Sequence, residues 1–396
     1  MKLNSIIVIL LIQWSALLIG QTNKLKLVEY DEIKSGAMQT EKYLPQLFNK
    51  NIAVVANQSS LVGVTHLVDT LISSGVVVSK IFCPEHGFRG DADAGKEINN
   101  KIDSKTNIPI ISLYGSHKKP TASDLDNVDI VIFDLQDVGT RFYTYISTLT
   151  YVMEACAENN IPIIVLDRPN PNGYYIDGPV LENEYSSFVG LHPVPVVYGM
   201  TIGEYALMVA GEQWINKAID IDLKIIPLAG WDHNMIVKLK VKPSPNLPNW
   251  QSVYLYPSLC FFEGTIMSVG RGTENPFQIY GHPDNMLGSF VFTPKSSEGA
   301  TNPKYKNIPC FGANLQNYAN SYNKNPMQIN LRWLIGTYET MGKKESYFNN
   351  YFDKLAGTDE LKKQIIDGLS EKEIRQSWQT KINKFKKVRS KYLLYL

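Results

Sequence analysis

Cysteine is scarce in this chain. Cys83, Cys156, Cys260 and Cys310 are the four among 396 residues, widely spaced and without a C-x-x-C pair. That spacing offers neither a disulfide framework nor a zinc cluster, and each cysteine has apolar or aromatic neighbours, so buried free thiols are expected. An excess of either charge is also missing: 39 Lys and Arg face 38 Asp and Glu. No bulk electrostatic argument for nucleic acid or an anionic membrane remains. There is no P-loop and no H-E-x-x-H, and the six histidines are scattered. Gly270-Arg271-Gly272-Thr273 lacks the third glycine of a dinucleotide fingerprint, and Ser268 lacks the leading glycine of a nucleophile elbow. Nucleotide and zinc-protease chemistry are left without support, no cofactor is expected, and no repeat or low-complexity tract is found.

Long apolar runs are missing as well, apart from the start of the chain. Met1-Lys2 leads into an almost wholly apolar stretch from Ile6 to Ile12, and a second short patch ends at Gly20-Gln21. A basic start, a short apolar core and a small residue near position 20 match a signal peptide and fall short of a membrane span. Residues 1–20 are therefore expected to be cleaved. With no cysteine before Cys83, a lipid anchor on a new N-terminal cysteine is excluded, and an exported, periplasmic or secreted protein without a membrane anchor is expected. The length points to two domains. Nothing in the sequence sets an oligomeric state.

What is present is an alternation of short β-rich runs and helix-like segments. Runs at 52–56, 76–82, 108–113, 128–133 and 161–166 read as buried strands, and 143–159 carries apolar residues at helical spacing. Continuous apolar strands alternating with helices imply an α/β fold with a parallel sheet covered on both faces. Residues 25–195 are read as a Rossmann-like domain, and 200–396, where the pattern changes, as a second α/β domain. In the second part, Thr201 and Glu204 form a capping box at the start of a helix, 222–227 reads as a strand, and 242–250 is a proline-rich loop. The last sixty residues read as helical, with a second capping box at Ser370 and Glu373.

Each of the five apolar runs ends in polar residues: Asn57-Gln58-Ser59, Glu85-His86, Tyr114-Gly115-Ser116, the stretch Asp134 to Arg141, and Asp167-Arg168-Pro169-Asn170. In an open parallel sheet these carboxyl ends share one edge, where ligands bind. For Ser59 and Asn172 turn and cap roles are as good a reading as a functional one, but charge at several converging strand ends calls for partners or substrate. Carboxylates in a crevice with arginines and aromatics suit glycoside hydrolysis, one carboxyl protonating the leaving oxygen while a second works on the far face of the sugar. Glu85 is the best acid, since partial burial after an apolar strand raises a carboxyl pKa. Asp134, Asp137 and Glu263 compete for the second role.

Pro84-Glu85-His86-Gly87 with Arg89-Gly90, Asp134 through Tyr145, Asp167-Arg168-Pro169-Asn170-Pro171, Phe262-Glu263-Gly264-Thr265 and Gly270-Arg271-Gly272-Thr273 resemble the NamZ-type exo-β-N-acetylmuramidases. The resemblance spans nearly the whole chain after the signal segment. It implies a Rossmann-like domain, a smaller C-terminal domain, a cleft between them, and release of terminal N-acetylmuramic acid from the non-reducing end of peptidoglycan fragments. It puts the family's proposed catalytic glutamate on Glu85. The expected substrate-binding set is Asn57, His86, Tyr114, Gln136, Arg141, Tyr143, Asp167, Arg168 and Arg271. Arg141 or Arg271 is expected to clamp the lactyl carboxylate of the sugar, unless it serves a structural ion pair. Substrate-assisted catalysis through the 2-acetamido group stays open. Two alternatives differ in class: an exported glycan-binding protein without hydrolysis, and a metal-dependent hydrolase using His86, Asp134, Asp137 and Asp167.

Overall fold

Six apolar runs become the strands of one parallel sheet: β1 (Asn51–Ala56), β2 (Val77–Cys83), β3 (Pro109–Ser112), β4 (Ile130–Asp134), β5 (Ile163–Leu166) and β6 (Leu223–Ile226). The computed structural model describes residues 25–84, 87–89, 101–284, 288–343 and 345–395, so the expected signal segment lies outside it. The strands lie side by side in the order β3-β2-β1-β4-β5-β6, and Lys101–Ile102 adds an antiparallel edge to β3. Burial on both faces explains their composition: every residue of β4 and β5 is buried, as are five of the six in β1. The five strands read from the first part of the sequence all form, with ends shifted by up to two residues.

The strand expected at 222–227 forms too, but as β6 it pairs with β5 through Ile225–Val165 and its neighbours. The sheet therefore draws its last strand from beyond the expected break at 195–200. Parallel pairing is long-range, and nothing local in 222–227 says which sheet it will join.

Helices cover the sheet: α1 (Leu67–Ser73), α2 (Tyr145–Asn159) and α3 (Ile202–Gly211). The capping box at α3 is present as read, Thr201 Oγ1 accepting from the Glu204 N–H and Glu204 Oε2 from the Thr201 N–H. Beyond the proline-rich loop, Asn249 caps α4 (Trp250–Leu259), which contains Pro257. Proline has no N–H for the carbonyl one turn back, and Asn172 fills the gap by donating to Val253 O at 3.2 Å. A loop residue that follows β5 thus ties α4 to the sheet.

The rest of the chain builds a three-stranded antiparallel sheet from β7 (Ile279–His282), β8 (Phe290–Phe292) and β9 (Cys310–Asn314), with β9 central. Then come α5 (Arg332–Thr340), α6 (Phe352–Ala356), α7 (Glu360–Ile366) and the long α8 (Glu371–Arg389). The box at Ser370 and Glu373 caps α8, which buries Ile374, Trp378, Ile382 and Phe385 at helical spacing. One apolar core runs from Ala53 and Phe133 in the sheet to Phe261, Phe352 and Trp378. All four cysteines are free and buried, as their neighbours implied. Among the described residues no helix is long and apolar enough to cross a membrane.

Candidate active site

The carboxyl ends of β1 and β4, where the strand order reverses, are filled by the protein's own side chains. Asp134 takes both arms of Arg168, Oδ1 from Nε at 2.6 Å and Oδ2 from Nη2 at 2.8 Å, and both side chains are buried. Burial opposes the Arg168 charge, but Asp134 outweighs it and holds the guanidinium protonated. Arg168 also donates to Tyr30 Oη at 2.7 Å and to Leu61 O at 3.2 Å. A space of only about 20 Å³ opens beside it, with Tyr30, Ser59 and Gln136 in its wall. Gln136 Nε2 is bound to the carbonyls of Asp137 and Pro169 at 2.8 and 2.7 Å.

Asp137 and Asp167 are buried as well. Asp137 Oδ2 accepts from Gly139 N at 2.6 Å and from the Tyr198 hydroxyl. Burial pushes its carboxyl up to about 6 against the pull of those donors. Asp167 receives four donors: Arg168 N and Gly203 N on Oδ1, Thr201 Oγ1 and the Tyr395 hydroxyl on Oδ2. Burial raises it to about 7. Asn57 is buried and donates to Tyr145 Oη at 2.8 Å, so it orients a tyrosine that does line the cleft.

Arg141 corrects an expectation. It is fully buried, and four of its five N–H donors meet backbone carbonyls: Pro179 and Val194 from Nη1, Leu355 and Ala356 from Nη2, at 2.7–3.0 Å. Burial pulls its pKa down to about 9, while hydrogen bonds to four carbonyls favour the protonated form. Gly357, at φ +72°, closes α6 against it, and a Cβ there would lie 2.6 Å from Nη2. No face of this guanidinium is left for a lactyl carboxylate. Its role is to join the 177–197 region to α6. Arg89 is likewise structural, forked onto Asp103 at 2.9 Å by Nε and Nη2.

The accessible space lies beyond this buried layer. A cavity of about 250 Å³ is walled by Tyr114, the stretch Phe142 to Tyr145, Phe188, Tyr256, Phe277, Tyr351 and the Glu263–Arg271 pair. Tyr114 follows β3, the Phe142–Tyr145 stretch leads into α2, and Tyr256 comes from α4. The rings brace one another edge to face, Tyr143–Tyr145 at 4.7 Å and Tyr256–Phe277 at 4.9 Å. Tyr143 Oη is pinned to Pro243 O at 2.6 Å, which explains why the proline-rich loop sits at the rim. Arg271 Nε and Nη2 both reach Glu263 Oε2 at 2.9 Å, while the guanidinium stacks on Phe277 at 4.9 Å. Burial disfavours the Arg271 charge, and Glu263 more than offsets that. A second, more open chamber of about 460 Å³ shares Glu263, Arg271 and Tyr351 with the first.

Of the three carboxylates that competed for the second catalytic role, Glu263 lines the cavity; Asp134 and Asp137 do not. Glu85 and His86 lie outside the described residues. Pro84, just before them, follows β2, whose neighbour β3 leads to Tyr114 of the wall. Phe188, Tyr351 and Leu355 also line the cavity but were not read from sequence, because no motif or strand end marks them.

A family model described as "Exo-beta-N-acetylmuramidase NamZ, N-terminal" matches residues 52–251, and its C-terminal counterpart matches 254–395. The chain belongs to the NamZ family. The peptidoglycan β-N-acetylmuramidase NamZ of Bacillus subtilis is 40% identical over 375 residues, 89% of either chain. A crystal structure of a DUF1343 family protein from Bacteroides fragilis superposes with a TM-score of 0.84 at 45% identity, covering 92% of this chain and 99% of that one. A second DUF1343 protein from the same organism gives 0.73 at 28% identity with the same coverage. Both halves of the NamZ match contribute to the cavity, Tyr114 and Phe142–Tyr145 from the first, Glu263 and Arg271 from the second.

Proposed function

We propose that this protein is an exo-acting glycoside hydrolase that releases terminal N-acetylmuramic acid from the non-reducing end of peptidoglycan fragments. The observation that carries this is the NamZ match over both halves of the chain, reinforced by a 40% identical β-N-acetylmuramidase. The cavity supports it independently. At about 250 Å³ it falls below the roughly 300–1,000 Å³ of drug-sized ligand pockets, a size suited to one sugar at a chain end. Its tyrosine and phenylalanine walls offer apolar faces for a pyranose ring, and Glu263 brings a carboxylate to the same wall.

In this reading Glu85 protonates the leaving oxygen and Glu263, oriented by Arg271, works on the other side of the sugar or steadies its developing positive charge. Asn57 and Pro243 act at one remove by fixing Tyr145 and Tyr143. Asp134, Asp167 and Arg168 are scaffold. That assignment also disfavours metal-assisted hydrolysis, since Asp134 and Asp167 have their oxygens on Arg168, Thr201, Gly203 and Tyr395. The strand order 3-2-1-4-5-6 supports a doubly wound, Rossmann-like reading of the sheet, in which the C-terminal part closes a cleft over its carboxyl edge. Export after loss of residues 1–20 is part of the same proposal, because the substrate is an envelope polymer.

The test is turnover of a chromogenic N-acetylmuramide. The wild type is expected to release muramic acid and Glu85→Gln to lose at least about 1,000-fold in kcat while keeping its thermal midpoint, as loss of an essential proton donor implies. Near-wild-type turnover by Glu85→Gln would remove the assignment.

A further inference from the structure

The two chambers differ in what they present. The first is mainly aromatic; the second is more open and mixes Met267, Val269 and Pro303 with Ser268, Thr301, Asn302 and Lys304 in its wall. Glu263, Arg271 and Tyr351 form the partition. Across that partition the charges do not cancel. Arg271 directs both Nε and Nη2 at Glu263 and is neutralised there. Lys304 has no carboxylate partner among the described residues. Its ammonium is held by two backbone carbonyls, Thr265 O at 2.6 Å and Met267 O at 2.9 Å; burial lowers its pKa, Glu263 opposes that and Arg271 adds to it.

Two carbonyls fix where the ammonium sits without cancelling its charge, and a lysine ammonium has three N–H donors. The third donor has no partner among the described residues, on a cation whose position is already set. Such a group favours an anion, and a carboxylate makes a charge-assisted bond with it.

We infer that Lys304 is the specificity-determining residue that receives the lactyl carboxylate of the muramic acid, across the partition from the chamber that holds the ring. The inference rests on the proposed muramic acid substrate and assigns to Lys304 the recognition role expected of Arg141 or Arg271. Arg141 is buried on backbone carbonyls, and Arg271 is engaged by Glu263. A glucosamine of the same ring structure has no carboxylate to offer and leaves Lys304 unanswered.

The experiment compares two chromogenic N-acetylmuramides, one with the free lactyl carboxylate and one with it converted to a methylamide, on wild type, Lys304→Met and Lys304→Arg. Wild type is expected to prefer the free acid. In Lys304→Met, kcat/KM on the free acid falls about 10- to 100-fold, mainly through KM, and the acid-over-amide preference collapses towards one. Lys304→Arg restores most of the preference. Calorimetric binding of free N-acetylmuramic acid, against N-acetylglucosamine, gives the same comparison without turnover. Equal losses on acid and amide, or an unchanged preference in Lys304→Met, would overturn the inference and assign Lys304 to loop structure alone. Failure of wild type to cleave either glycoside would instead strike the proposed activity, and the binding comparison would still decide the role of Lys304.

Discussion

At the scale of single residues, the decisive contrast is between two arginines that the sequence presents alike. Arg141 and Arg271 each lie in a glycine-flanked polar stretch next to aromatics, and each was a candidate for a carboxylate clamp. Burial and partners separate them: Arg141 holds four carbonyls from two distant segments, whereas Arg271 stands in the cavity wall on Glu263. Arg141→Met would strand those four carbonyls out of water, and each buried unsatisfied group costs about 1–3 kcal/mol. A loss of on the order of 3 kcal/mol or more is expected, read as a lower urea midpoint with an unchanged slope; a shift below about 1 kcal/mol would contradict the structural role. The sequence could show that an arginine was present but not that its partners lay 38 to 215 positions away. Glu263 was legible as a candidate because its motif is local. Its selection over Asp134 and Asp137 was not, since burial of those two depends on Arg168 and Tyr198.

At the scale of elements, local chemistry was read well and long-range pairing was not. The strands announced themselves by runs of Val and Ile, and three helix starts carry boxes of side chain and backbone that close within four residues, at Thr201, Asn249 and Ser370. The first of these does more than cap. Thr201 Oγ1 accepts from Glu204 N and donates to Asp167 Oδ2 at 2.8 Å, while Glu204 Oε1 accepts from Leu394 N. Thr201→Ala is therefore expected to cost about 2 kcal/mol, the upper end for a lost N-cap, because a donor to a buried carboxylate goes with it. Equilibrium unfolding measures this, and a loss under about 0.5 kcal/mol would mean the cap is not coupled to Asp167. The three-stranded sheet of β7, β8 and β9 was not anticipated. Its strands are three to five residues long and rich in glycine and aromatics, too short for alternation to register.

At the scale of the whole molecule, the C-terminal part does not stand apart from the sheet. Tyr395 donates its hydroxyl to Asp167 and accepts from Leu228 N, α8 packs on the hairpin strand Asp177–Val180, and Arg141 bonds to α6. These ties fix one cavity wall against the other. The wall of Tyr114 and Phe142–Tyr145 belongs to the sheet's edge, and the wall of Glu263, Arg271 and Tyr351 belongs to the segments after α4. A chamber of about 250 Å³ walled from both parts of the chain fits the proposed removal of one sugar at a time from a chain end. The most direct test is product analysis on a defined glycan of alternating N-acetylmuramic acid and N-acetylglucosamine, with muramic acid at its non-reducing end. The account predicts free N-acetylmuramic acid as the first product, together with a chain shorter by one sugar and no internal fragments. Internal cleavage into disaccharides, or capture of the glycan with no bond broken, would contradict it.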